Sequence, residues 1–150
     1  MNGPAPLHAP LMDLDEIARG AGGEASGARV AVSGVTTDSR AVLAGDLFVA
    51  LVGERFDGHD YVAQALERGA AAALVSRAVA VGVPQVLVAD TRLALGRLAA
   101  HWRARFSLPV AALTGSNGKT TVKEMIAAIL ATHCGGGETV LATEGNLNND

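Results

Sequence analysis

One hundred and fifty residues allow one full domain, or a small domain plus the opening of a second, and are too few for a large multi-domain enzyme. Hydrophobic residues make up 49% and charged residues 18%, which argues against wholesale disorder; aromatics at 3% leave Val, Leu, Ala and Ile to fill the core. A formal net charge of −3, with no Lys/Arg run longer than a pair, argues against the dense phosphate neutralisation that nucleic-acid binders need.

Residues 1–10 hold Pro4, Pro6 and Pro10, carry no Lys or Arg, and lack the apolar run of a signal peptide, so they read as a loose leader. Asp13 is placed to cap a short helix over Leu14–Arg19, which stops at Gly20–Gly23. Val30–Val35 and Asp46–Val52 are rich in Val, Leu and Phe between turn residues and are predicted as strands. Tyr61, Val62, Ala65 and Leu66 recur at helical spacing up to Gly69; Ala70–Val75 and Gln85–Ala89 follow as two more buried strands. The most apolar stretch, 69–89, is interrupted by Ser76, Arg77, Pro84 and Gln85, far short of the about 18 residues of a membrane span. Thr91 is the expected cap of a helix that puts Leu95, Leu98, Ala99, Trp102 and Phe106 on one face. A domain boundary is expected near Ser107–Pro109. Beyond it, Val110–Leu113 is predicted as a brief strand, then a loop, then a helix with Val122, Met125, Ile126, Ile129 and Leu130 at i, i+3, i+4, i+7 and i+8. Gly135–Gly137 breaks the chain, and Val140–Ala142 is expected to open a further strand.

The strongest local signal is Thr114 to Thr121, with Gly115, Ser116, Asn117, Gly118, Lys119, Thr120 and Thr121 between strand and helix. Glycines let the backbone fold back so that successive N–H groups converge on phosphate oxygens, and the helix N-terminus faces the same anion. Lys119 adds a full charge, and the Thr120 hydroxyl stands where a phosphate loop places its Mg²⁺ ligand. The strict pattern G-x-x-x-x-G-K-[ST] is not met, because Leu113 occupies the position of its first glycine. The bland reading is a Gly-Ser-Asn-Gly turn in which Lys119 and Thr120 cap the helix. Asp38, Ser39 and Arg40 form a polar corner after a strand, suited to a diphosphate or uridine and equally to a plain turn. Lone His59 reads as structural or solvated, His101 and His133 as too isolated for a metal site, and Cys134 as a passenger in a reducing compartment.

Taken together, TGSNGKTT at 114–121, the segment Val35–Arg40, and Gly45–Leu51 with Gly53–Asp60 resemble the Mur ligases, and the first third of the chain is unlike the related folylpolyglutamate synthases. The resemblance implies an α/β protein: a leader and first helix at 1–26, a small mixed α/β nucleotide-sugar domain at 27–107, and the beginning of a P-loop, Rossmann-like central ATPase domain at 108–150. Gly53–Asp57 and Gly145–Asp150 are similar to the branch that adds D-alanyl-D-alanine to UDP-N-acetylmuramoyl-tripeptide in peptidoglycan precursor synthesis; the branch that adds the third peptide residue is the nearest alternative. On this resemblance ATP sits on Gly115–Thr121, Lys119 and Thr120 are catalytic, Thr120 holds Mg²⁺, and Asp38, Ser39, Arg40, Asn146, Asn148 and Asn149 bind substrate. It further implies an ADP-forming ligase working through an acyl phosphate as a cytoplasmic monomer. Later Mg²⁺ ligands, a carboxylated lysine and a closing domain are expected beyond Asp150, so that this piece is not expected to catalyse alone. Two rivals remain: a non-catalytic nucleotide-sugar module, and a free-standing P-loop NTPase or kinase.

Overall fold

The computed structural model describes residues 10–80, 82–135 and 140–143. The chain divides into two compact units, Met1–Ser107 and Leu108–Asp150. In chain order the first contains β1 (Met12–Asp13), α1 (Leu14–Ala21), β2 (Glu24–Ser26), β3 (Ala31–Val32), β4 (Gly34–Thr36) and β5 (Asp46–Val49). A 3₁₀ helix (Gly58–Tyr61), α2 (Val62–Glu67), β6 (Ala72–Val75), β7 (Gln85–Leu87) and α3 (Thr91–Arg103) complete it. The second contains α4 (Lys119–His133).

Alternation along the central strands explains the layering. Leu47 and Val49 of β5 and Leu74 of β6 point to one face, where Leu14 and Ile17 of α1 and Ala94 and Leu98 of α3 meet them. Phe48, Ala73 and Val75 point to the other, against Val62 and Ala65 of α2. Strands buried on both faces carry continuous apolar runs, as parallel strands covered by helices must. Strand order is β2-β7-β6-β5-β4; β4 to β7 run parallel and β2 closes one edge antiparallel to β7. The α/β class with a parallel sheet is thus as the sequence implies.

Local chemistry sets the ends. Asp13 caps α1 by accepting the Glu16 amide at 2.7 Å, and Gly22 ends it in the left-handed region at φ 73°. Glu16 also accepts from His101 Nε2 at 3.1 Å and pairs with Arg105, whose guanidinium lies 4.5 Å from the Trp102 ring centroid, clamping α1 to the end of α3.

Several expectations are corrected. The run Val30–Val35 is two strands rather than one: Ala31–Val32 pairs with β1, and Gly34–Thr36 with β5. Between them Ser33 sends its amide to Gly45 O, so the chain leaves one partner for another there. Asp90, not Thr91, caps α3: its carboxylate accepts the Leu93 amide at 2.9 Å, while Thr91 is buried inside the first turn. Phe106 lies past the end of α3 and meets Trp102 edge-on at 5.7 Å rather than extending the helical stripe. Val110–Leu113 and residues 140–143 form no strand. A strand is made by its neighbour's N–H and C=O groups, and no described residue of the second unit pairs with them. For the same reason the stripe on α4 is uncovered within the described residues, with Met125 59% and Ile129 65% exposed.

Candidate functional site

The carboxyl ends of parallel strands, where open α/β sheets take their ligands, are occupied here by the loop after β4 and an excursion after β5. Together they enclose a cavity of about 330 Å³ whose lining includes Asp38, Ser39, Arg40, Phe48, Phe56 and Tyr61.

The loop is built from its own side chains. Asp38 Oδ1 accepts the Arg40 amide at 2.9 Å, closing an Asx turn. The Arg40 guanidinium then grips the same carboxylate with two bonds, 2.9 Å to Oδ1 and 2.8 Å to Oδ2. That grip, with the amide bond, lowers the Asp38 pKa to about 2. Arg40 O in turn accepts from Arg68 at 3.0 Å. Ser39 is buried, and its hydroxyl donates to Gln64 Oε1 of α2 at 2.8 Å. The three predicted residues therefore meet on one pocket wall. The Asp38 carboxylate is spent on Arg40, and Ser39 has committed its proton but keeps lone pairs for accepting.

The facing wall is the excursion from Leu51 to Tyr61. Gly53 N donates to Phe56 O at 2.9 Å, Val52 bridges Asp57, and Gly58 N donates to Leu51 O at 2.7 Å, so the backbone folds on itself and throws Phe56 and Tyr61 outward. Both rings are exposed, 56% and 46%. In a chain with one Tyr, one Trp and three Phe, two solvent-facing aromatics at one cavity are a concentration that a flat base or sugar face can use. The spacing puts Tyr61 on a helical stripe, and Phe56 enters only within the Gly53–Asp57 segment. The structure instead ends the 3₁₀ helix at Tyr61, leaves it exposed and starts α2 at Val62; composition shows that aromatics are scarce but not where they gather.

Behind this wall lies a cluster around His59, whose structural role is one of the two that a lone histidine in sequence suggests. His59 is buried, with Nδ1 2.5 Å from Asp57 Oδ1 and Nε2 accepting the Ser76 amide at 2.9 Å. Arg77 Nη2 donates to Asp57 Oδ2 at 2.8 Å. The Arg77 bond first, then the His59 amide and ring, hold the Asp57 carboxyl well below the usual carboxylate range. An Asp-His-Ser arrangement invites comparison with a nucleophilic triad, but Nε2 already accepts Ser76's own backbone N–H. The Ser76 hydroxyl stands off at 3.3 Å, so the imidazole is in no position to take its proton.

In the second unit the predicted loop runs straight into α4. Gly115 (φ 151°) and Gly118 (φ 75°) adopt conformations that L side chains avoid, which is why glycine is needed at both. Gly118 caps the helix and its carbonyl accepts from Val122 N at 3.0 Å. Lys119 folds back over the loop, its Nζ donating to Gly115 O at 2.5 Å. Among the described residues no backbone carbonyl takes the amides of Ser116, Asn117 or Gly118, and Thr120 and Thr121 are exposed on the first turn. Unspent amides, a lysine over the turn and hydroxyls at a helix N-terminus form a donor set that fits a polyphosphate with its metal. Asn146, Asn148 and Asn149 lie outside the described residues.

Two Mur ligase models match the chain: "Mur ligase family, catalytic domain" over residues 31–103 and "Mur ligase middle domain" over residues 113–150. The chain belongs to the Mur ligase family. Within the Mur ligases it is 56% identical over 128 residues to the UDP-N-acetylmuramoyl-tripeptide--D-alanyl-D-alanine ligase of Escherichia coli, covering 85% of this chain and 27% of that one. Among solved structures it matches MurF from Acinetobacter baumannii with a TM-score of 0.75 at 42% identity, covering 83% of this chain and 29% of that chain. It also matches the MurF ligase from Thermotoga maritima in complex with ADP, with a TM-score of 0.61 at 39% identity, covering 65% and 23%. The chain thus spans about a quarter of the length of the curated relative, and no helix among its described residues is long and apolar enough to cross a membrane.

Proposed function

We propose that this chain supplies the nucleotide-sugar pocket and the ATP loop of an ADP-forming ligase that joins D-alanyl-D-alanine to UDP-N-acetylmuramoyl-tripeptide. Such a ligase would serve peptidoglycan precursor synthesis in the cytoplasm and act as a monomer. The observation that carries the reading is 56% identity to a ligase of that name over 85% of this chain, with the described site chemistry divided between a uridine-sized pocket and a phosphate loop.

In the first unit the pocket takes the uridine nucleotide: Phe56 and Tyr61 offer flat faces, and Ser39 and the Asp38–Arg40 turn offer polar contacts at the strand ends. In the second, the amides of Ser116, Asn117 and Gly118 hold the triphosphate of ATP, and Lys119 exchanges its bond to Gly115 O for a phosphate oxygen. Thr120 is the residue that would hold Mg²⁺, which when bound neutralises phosphate charge. A tripeptide carboxylate and a triphosphate repel each other, so Lys119 and the helix N-terminus lower the cost of bringing them into line. The carboxylate oxygen attacks the γ-phosphorus and ADP leaves; the amine of D-alanyl-D-alanine then attacks the acyl carbon and phosphate departs. Asn146, Asn148 and Asn149 are assigned to the peptide-bearing sugar.

Calorimetric titration of the chain with UDP-N-acetylmuramoyl-tripeptide tests the reading: saturable one-to-one binding is expected, and the absence of heat at any reachable concentration would contradict it.

A further inference from the structure

The wall that carries Phe56 and Tyr61 is an excursion, and its backbone bonds run back to its own base at Leu51 and Val52. Its far end runs on into α2, whose Val62 and Ala65 are packed in the core. What ties it to the neighbouring strand is a pair of side-chain links to the residues that follow β6: His59 Nε2 to the Ser76 amide, and Arg77 to Asp57.

The hydrogen-bond pattern assigns the ring's proton. A backbone N–H can only donate, so Nε2 must present its lone pair to Ser76. Nδ1, 2.5 Å from a carboxylate oxygen, must then carry the hydrogen. The imidazole is a neutral Nδ1–H tautomer, accepting at one end and donating at the other, with its side chain 1% exposed. The arrangement also spares Ser76 N–H, at the end of a buried strand, from lacking an acceptor. Asp57 accepts from the His59 amide as well as the ring, so the 3₁₀ helix that presents Tyr61 is held at both its cap and its core-facing side.

We propose that His59 is a positioning residue for the nucleotide pocket: through Asp57 and the Ser76 amide it fixes the Phe56–Tyr61 wall against the end of β6, so that both rings stand ready for the base. This rests on the uridine-nucleotide reading of the cavity. His59 touches no ligand in this scheme, and its effect on binding is indirect.

The test is titration of the intact chain with uridine diphosphate, in the wild type and in His59→Phe, His59→Gln and Leu74→Ala. Glutamine keeps an acceptor near the Nε2 position; phenylalanine keeps the ring and loses both bonds. Leu74 is buried in the opposite core and serves as a control for stability alone. At a temperature where all four are folded, His59→Phe is expected to weaken uridine diphosphate roughly tenfold, as loss of a supporting contact does elsewhere. His59→Gln should recover most of that loss, and Leu74→Ala should leave the affinity within about twofold of wild type. Wild-type affinity in His59→Phe, or a loss in Leu74→Ala as large as in His59→Phe, overturns the proposal while the pocket reading stands. Failure of the wild type to bind overturns the pocket reading and this proposal with it. Should His59→Phe not fold, ¹⁵N spectra of the wild-type imidazole decide: a protonated Nδ1 with an accepting Nε2, unchanged on ligand binding, supports the link, and a protonated Nε2 overturns it.

Discussion

Arg40 and Asp38 carry a clear electrostatic signature. The carboxyl is lowered from 3.8 to about 2 by the two-pronged guanidinium contact, so its contribution to stability is whole above pH 4 and is lost as the pH falls through about 2. Because the pair stands in solvent the contribution is small, and the informative measurement is the titration itself. Following the Asp38 carboxyl carbon by NMR should give a midpoint near 2 in the wild type and a clearly higher one in Arg40→Ala, still below the ordinary 3.8 because the amide of residue 40 keeps its bond to the carboxylate; the same midpoint in both would show that the grip does not persist in solution. Lys119 is the corresponding residue of the loop. A hydrogen bond to a charged group is worth about 1.5–3 kcal/mol, so Lys119→Ala should raise the Kd for ATP with Mg²⁺ about tenfold to a hundredfold. The first unit's melting should be untouched, which differential scanning calorimetry reads.

Element by element, the parts legible in advance are those whose pattern is local. The α4 stripe, the Asp13 cap and the apolar runs of β5 and β6 all follow from spacing within one segment. What escaped was set by partners far along the chain. The edge strand β2, three exposed residues Glu24–Ser26, exists because β7 lies beside it, and nothing in its composition says so. The break at Ser33 follows from a change of partner, from β1 to β5. The expected strand Val110–Leu113 has the right residues but no described neighbour to pair with. The site divides in the same way: Asp38–Arg40 and Gly115–Thr121 are contiguous and were visible as strings, whereas the His59–Ser76 link joins residues 17 apart and the aromatic wall owes its direction to a fold-back after β5. Two substitutions check this account of the elements. Asp90→Ala should destabilise the first unit by about 1 kcal/mol through loss of the α3 cap, and Leu74→Ala by about 2–5 kcal/mol. Urea denaturation measures both. A cost at Asp90 as large as that at Leu74 would mean that the cap does more than satisfy one amide.

For the molecule as a whole, the central claim is that two ligands of different chemistry have separate seats: a uridine nucleotide-sugar at the strand ends of the first unit, and ATP on the glycine turn that opens α4. Amide chemical-shift mapping tests this most directly, with UDP-N-acetylmuramoyl-tripeptide and ATP with Mg²⁺ added in turn to the labelled chain. The nucleotide-sugar should shift the amides of residues 37–40 and 56–61, and ATP those of residues 115–121, each leaving the other set in place. Both ligands moving one and the same set, or neither moving any, would contradict the account.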